Sequence, residues 1–187
     1  MAWPQAEEID EVEDGEEAGP WEQRATGTAA HFILQRIARD GLAAWPMKRL
    51  DETKPFLRTQ LPEEAVEQCL RALRATLRSE RGRWILGDHA EARNEWPLTG
   101  RIGDQLYSVI LDRTFIDEAG TRWIIDYKTG SQTLAHREQL QRYGLMVSAL
   151  DARPIRLGLY YPLSNEWNDW AFTISLPGES TTARAEG

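Results

Sequence analysis

Apolar residues follow two rhythms along this chain. From about Ala29 to Gly41, Phe32, Ile33, Ile37 and Ala38 lie on one helical stripe, with Thr26-Gly27-Thr28 supplying capping chemistry and Gly41 the stop. Residues 45–61 read as irregular. A second helix begins at Pro62, with Glu63 and Glu64 in its first turn where the dipole favours acids, and runs to about Ser79. Ala65, Val66, Cys69, Leu70, Leu73 and Leu77 recur there at helical spacing, and its arginines read as a solvated face. A third helix is expected from Ala135 to Leu150. Strand patterns occupy about Ala92–Leu98, Gln105–Ile116, the run from Trp123, Ile155–Tyr161 and Trp170–Ile174. Val109, Leu111 and Phe115 are assigned to one face of the second strand, and Ile110, Ile116 and Ile124 to the other. A sheet apolar on both sides needs cover on both sides, so the expected fold is α/β, a central mixed β-sheet flanked by helices.

The turn residues Asp117-Glu118-Ala119-Gly120 join two of these strands. A hairpin centred on Ala119 pairs Ile116 with Arg122, Thr114 with Ile124 and Asp112 with Asp126. The two carboxylates would then face each other, with Cβ atoms roughly 4.5–5.5 Å apart. Like charges so placed repel unless a cation lies between them, which points to a divalent metal. Asp126 and Lys128 are two residues apart and leave the strand on one face. The bland alternative for this pair is a surface ion pair at a strand end.

Composition narrows the classes. The 187 residues suffice for one full core. A single cysteine, Cys69, excludes a disulfide framework and any cysteine-based metal site from this chain alone, and reads as a buried thiol. No run is long enough to span a membrane, and a cytoplasmic setting is expected. The formal charge is −8, but residues 1–23 carry nine acids and no Lys or Arg, leaving 21 acids against 22 bases. Residues 1–23 therefore read as an acidic disordered arm or linker, residues 24–176 as the folded domain, and residues 177–187 as a flexible polar tail. Of the eight tryptophans most are assigned to the core, with Trp45 or Trp167 available to stack on bases; His89 and His136 are assigned to the surface. No Gly-x-x-x-x-Gly-Lys-Ser/Thr loop occurs, so the chain is not itself a nucleotide-driven motor.

Four segments in order resemble the RecB-like nuclease family of the PD-(D/E)XK superfamily, modules that form the C-terminal domain of AddA- and RecB-type helicase–nucleases. They are Gly27-Thr28-Ala29-Ala30-His31, Glu95-Trp96-Pro97-Leu98, Ile110-Leu111-Asp112-Arg113 with Asp126-Tyr127-Lys128-Thr129-Gly130, and Gln139-Leu140-Gln141-Arg142-Tyr143, spanning roughly residues 25–162. Val109 stands where that family usually has Gly. The resemblance implies a restriction-endonuclease-like core and a Mg²⁺- or Mn²⁺-dependent deoxyribonuclease, expected to be an exonuclease. Its expected substrate is single-stranded DNA ends, delivered by a helicase domain or subunit during break processing and recombination repair. It implies Asp112, Asp126, His31 and the Tyr127 main-chain carbonyl as metal donors, with Lys128 acting on the attacking water. Glu95, Thr129, Gln139 and Tyr143 would surround the metal or hold the substrate strand. The rival reading is a non-catalytic module that keeps the nuclease fold and binds DNA or a helicase; a nuclease acting on RNA is a third, and nothing in the residues reads a 2′-hydroxyl.

Overall fold

A computed structural model describes residues 21–128 and 133–174. The expected acidic arm falls almost wholly outside these residues, as do the expected tail and Thr129. Among the described residues no helix is long and apolar enough to cross a membrane.

The first helix, α1, spans Trp21–Asp40, beginning two turns before the expected start at Ala29. It stops where foreseen, because Gly41 adopts φ +86 and donates its N–H to the Ile37 carbonyl at 2.9 Å. Residues 45–61 are not irregular: α2 (Met47–Asp51) and α3 (Lys54–Leu57) occupy them. These helices are too short for a periodic signal to emerge, and each is held by one buried leucine, Leu50 or Leu57. Helix α4 (Glu63–Arg78) matches the second expected helix. A further helix, α5 (Glu80–Leu86), follows it, with the Ser79 hydroxyl capping the Gly82 N–H at 2.9 Å.

Among the described residues five strands form one sheet in sequence order: β1 (Ala90–Ile102), β2 (Gln105–Ile116), β3 (Arg122–Tyr127), β4 (Ile155–Tyr161) and β5 (Glu166–Ala171). Only β3 and β4 pair in parallel, and the helix between them, α6 (Leu134–Ser148), makes the crossover that such a pair requires. The remaining neighbours are antiparallel, so the mixed sheet is as expected. β1 is longer than foreseen and forms a second hairpin with β2 through Gly103, at φ +60. β5 begins four residues before its expected position, straight after a turn in which Asn165 takes φ +57.

Two apolar layers cover the sheet. Helices α1 to α5 pack over Phe115, Trp123, Ile125, Tyr127 and Tyr160. Helix α6 packs over Leu98, Leu111, Ile124, Leu157, Leu159 and Tyr161. The architecture is the α/β sandwich, a central mixed sheet flanked by helices, that the sequence led us to expect.

The face assignment on β2 needs correction. Val109 and Leu111 pack on the α6 side, whereas Phe115 packs on the opposite side, although all three share one parity. Ile110, assigned to the other apolar face, is exposed. The switch falls at Asp112: residues 113–116 pair with β3, whereas the preceding part of β2 does not, and its hairpin with β1 packs against α6.

Three side-chain assignments also change. His136 is fully buried rather than on the surface, its Nδ1 lying 3.3 Å from the Tyr161 hydroxyl. His89 is half-buried and stacks on Phe115. Trp45 is buried, donating to Asp40 at 3.1 Å, and so is not placed to stack on bases, whereas Trp167 is half-buried with its ring over Gly158. Cys69 is a buried thiol, as foreseen, and burial pushes its pKa up to about 12.

Candidate active site

The register of the β2–β3 hairpin places the two aspartates. Arg113 pairs with Ile125, Thr114 with Ile124, Phe115 with Trp123 and Ile116 with Arg122, the pairing inferred from the turn. Asp117 shapes that turn by accepting the Ala119 and Thr121 N–H groups at 3.0 and 2.9 Å. Counted one residue further, Asp112 stands opposite Asp126, at the point where the ladder ends. In place of a main-chain partner, the Tyr127 N–H donates to Asp112 Oδ2 at 2.8 Å. On the other side of β2, Asn94 pairs with Arg113 and Trp96 with Leu111, so Glu95 falls opposite Asp112. Glu95 takes φ +46, a left-handed conformation inside the continuous strand β1. Three carboxylates on three adjacent strands thus share one row.

Both helical layers reach this row. From α1, His31 Nε2 lies 3.4 Å from Asp112 Oδ1 and 2.8 Å from Gln35 Nε2. One nitrogen cannot donate to the carboxylate while accepting from the amide; a Gln35 amide turned to present its oxygen serves both contacts. Burial alone would lower the His31 pKa, but the hydrogen bond to Asp112 and the charges of Asp112, Asp126 and Glu95 outweigh it and raise the value. The imidazole also meets the Tyr127 ring edge-on, with centroids 5.2 Å apart.

From α6, Gln139 Oε1 accepts from Lys128 Nζ at 2.6 Å, and the same Nζ lies 3.3 Å from Asp126 Oδ2. Asp126 is buried, and its Oδ2 has no well-aligned hydrogen-bond donor. Burial, then the charge of Asp112, push its pKa up to about 7 against the opposing pull of Lys128. Tyr143, one turn beyond Gln139, is buried, and burial followed by the charges of Asp126 and Asp112 raises its pKa.

The described residues proposed as metal donors, catalytic lysine or surrounding groups therefore gather at this place: His31, Glu95, Asp112, Asp126, Tyr127, Lys128, Gln139 and Tyr143. The Tyr127 main chain contributes an N–H to Asp112. The sequence reading missed two supporting groups. Gln35 was signalled only by its i+4 spacing from His31. Arg113 is fully buried and donates to the carbonyls of Ile85 and Gly87 at 3.0 and 2.6 Å and to Asn94 Oδ1 at 2.9 Å. It anchors the backbone beside Asp112 to the end of α5.

A family model for the PD-(D/E)XK nuclease superfamily matches residues 5–170. The chain belongs to this superfamily. Its members are generally nucleases and typically use divalent metal ions, so a nuclease with DNA as its substrate is the activity this membership carries. No curated protein matches the chain. Among solved structures, one described as "Crystal structure of SSO0001" is 15% identical, covers 80% of this chain and 80% of its own, and has a TM-score of 0.32.

The donor set can be tested against the implied ion. Among the described residues no group of three or more His, Cys, Asp or Glu side chains is drawn together closely enough to hold a metal. The chemistry nevertheless fits a hard cation. A buried carboxylate oxygen lacks an aligned donor, a second carboxylate stands opposite, and an imidazole adjoins them.

Proposed function

We propose that this chain is a divalent-metal-dependent deoxyribonuclease that hydrolyses phosphodiester bonds at the row formed by Asp112 and Asp126. The observation that carries the proposal is Asp126: a buried carboxyl facing a second carboxyl, flanked by a lysine, in a chain of the PD-(D/E)XK superfamily. Burying such a group without compensation is costly, and a site that retains it is organised around a cation that neutralises it. Asp112, Asp126 and His31 would hold Mg²⁺ or Mn²⁺, with the Tyr127 carbonyl as a main-chain donor. The bound ion would supply an acidified water and offset phosphate charge.

The chain's own residues account for the rest. Lys128, oriented by Gln139, places its ammonium beside Asp126, where it offsets phosphate charge and orients the attacking water. The Tyr127 N–H holds the Asp112 carboxylate in one rotamer. Glu95 adds its negative field to those of Asp112 and Asp126, which together raise the proton affinity of His31 in the metal-free site. Tyr143 and Gln139 share a face of α6 at the edge of the site and would line the path of the substrate strand, with Thr129, next to Lys128 in the chain, as a further candidate for that role. Single-stranded DNA ends are the substrate we favour, in exonucleolytic processing with a helicase domain or subunit as partner.

The decisive experiment incubates the purified chain with labelled single-stranded DNA and Mn²⁺. Wild-type protein should degrade the DNA, and Asp126→Ala should abolish degradation. Equal rates for the two proteins would refute the assignment, and DNA binding without metal-dependent cleavage would identify a binding module instead.

A further inference from the structure

Two touching phenylalanines, one of them next in the chain to His31, turn their rings partly to solvent. Phe32, on α1, follows His31 directly, and Phe56 belongs to α3. Their ring centroids are 5.6 Å apart at 34°, and the residues keep 43% and 38% of their surface exposed. Single exposed apolar residues are ordinary on protein surfaces. A touching aromatic pair brought together from separate helices is a less ordinary feature. At about 100° per residue, His31, Gln35, Phe32 and Arg36 fall within an arc of about 140° on α1, so the pair continues the surface on which His31 stands.

Arg36 supplies the second component. Its guanidinium carbon lies 5.9 Å from the Phe32 centroid and 6.0 Å from that of Trp45. Its Nε is buried without a hydrogen-bond partner, and among the described residues it forms no ion pair with a carboxylate. The nearby cations Arg49, Lys54 and Arg58, by contrast, are engaged with Asp40, Glu67 and Glu63. An aromatic surface next to an unneutralised guanidinium matches the repeating unit of a single strand: a flat base beside an anionic phosphate. In a duplex the bases are stacked internally, so such a surface reads unpaired bases only.

We propose that Phe32, Phe56 and Arg36 form a base-stacking ledge whose occupant is an unpaired nucleobase of single-stranded DNA entering the candidate site. This rests on the nuclease reading above and adds to it the feature that selects the unpaired strand.

The ledge can be tested separately from cleavage. Binding of the full chain to a fluorescein-labelled oligo-dT of about twelve nucleotides is measured by anisotropy in EDTA, against an abasic strand of the same length. Wild type should prefer the base-bearing strand by about tenfold. The Phe32→Ala, Phe56→Ala double variant should bind both strands equally, whereas Phe32→Tyr with Phe56→Tyr should keep the preference. Arg36→Gln should weaken binding to both strands and reduce the salt slope by about one. Equal wild-type affinity for the two strands, or a preference that survives the double alanine substitution, would overturn the ledge. Metal-dependent degradation by wild type would still stand in that case, and its absence would leave the EDTA comparison intact.

Discussion

Arg113 shows how a single side chain sets the geometry of this site. Its guanidinium is buried and satisfied by two carbonyls and an amide oxygen, and its neighbour in the chain is Asp112. Replacing it by Ala strands those acceptors, and we expect Arg113→Ala to destabilise the fold by about 3 kcal/mol in urea denaturation. Arg113→Lys should recover little of this, since an ammonium cannot reproduce the planar fork. Asp126 makes a second prediction. Its folded pKa is raised to about 7, above the value in an unfolded chain, so between roughly pH 4 and 7 the folded state holds the extra proton. Stability of the metal-free protein should therefore fall as pH rises through that window, and His31, raised from 6.5, adds a further fall only above about pH 6.5. Thermal melts across this range should show the decline, and Asp126→Asn should flatten most of it. At this scale the facing aspartates were legible in the sequence because a turn fixes strand register by simple counting. Arg113 was not, because its partners come from α5 and β1, far away in the chain. His136 was misassigned for a similar reason: only the packing of α6 on β4 buries it.

Among the elements, helix and strand patterns long enough to repeat were readable, while α2, α3 and α5 were too short to show a period. The extra length of β1 and the change of face at Asp112 depend on what the hairpin packs against, which strand alternation alone does not reveal. Two glycines mark close approaches, one within the sheet and one between α6 and the segment after β5. A Cβ at Gly158 would come within 2.1 Å of the Trp167 ring, and one at Gly144 within 2.5 Å of Phe172. Gly158→Ala and Gly144→Ala should each cost about 1–3 kcal/mol, read as a lowered midpoint in urea. The Gly158 variant bears on the site as well, because Gly158 is paired with Ile125, next to Asp126.

For the whole molecule, charge is distributed very unevenly along the chain, with nine acids and no Lys or Arg in residues 1–23. A segment of that composition would be expected to compete with DNA for the remaining cations. Removing residues 1–20, just ahead of α1, should raise affinity for single-stranded DNA several-fold at low salt, with the difference vanishing as salt increases. Anisotropy titrations of both chains at several salt concentrations would measure it. Periodicity and turn chemistry determined the main helices, the order of strands along the chain and the register of one hairpin, because each depends on residues close in sequence. The tertiary structure alone decided the lateral convergence. It brought His31 from α1 and Gln139 and Tyr143 from α6 to opposite sides of one carboxylate row, buried Asp126 enough to raise its pKa, and set Phe32 against Phe56. Those outcomes follow from packing two helical layers on a twisted sheet, a long-range arrangement that no local pattern encodes.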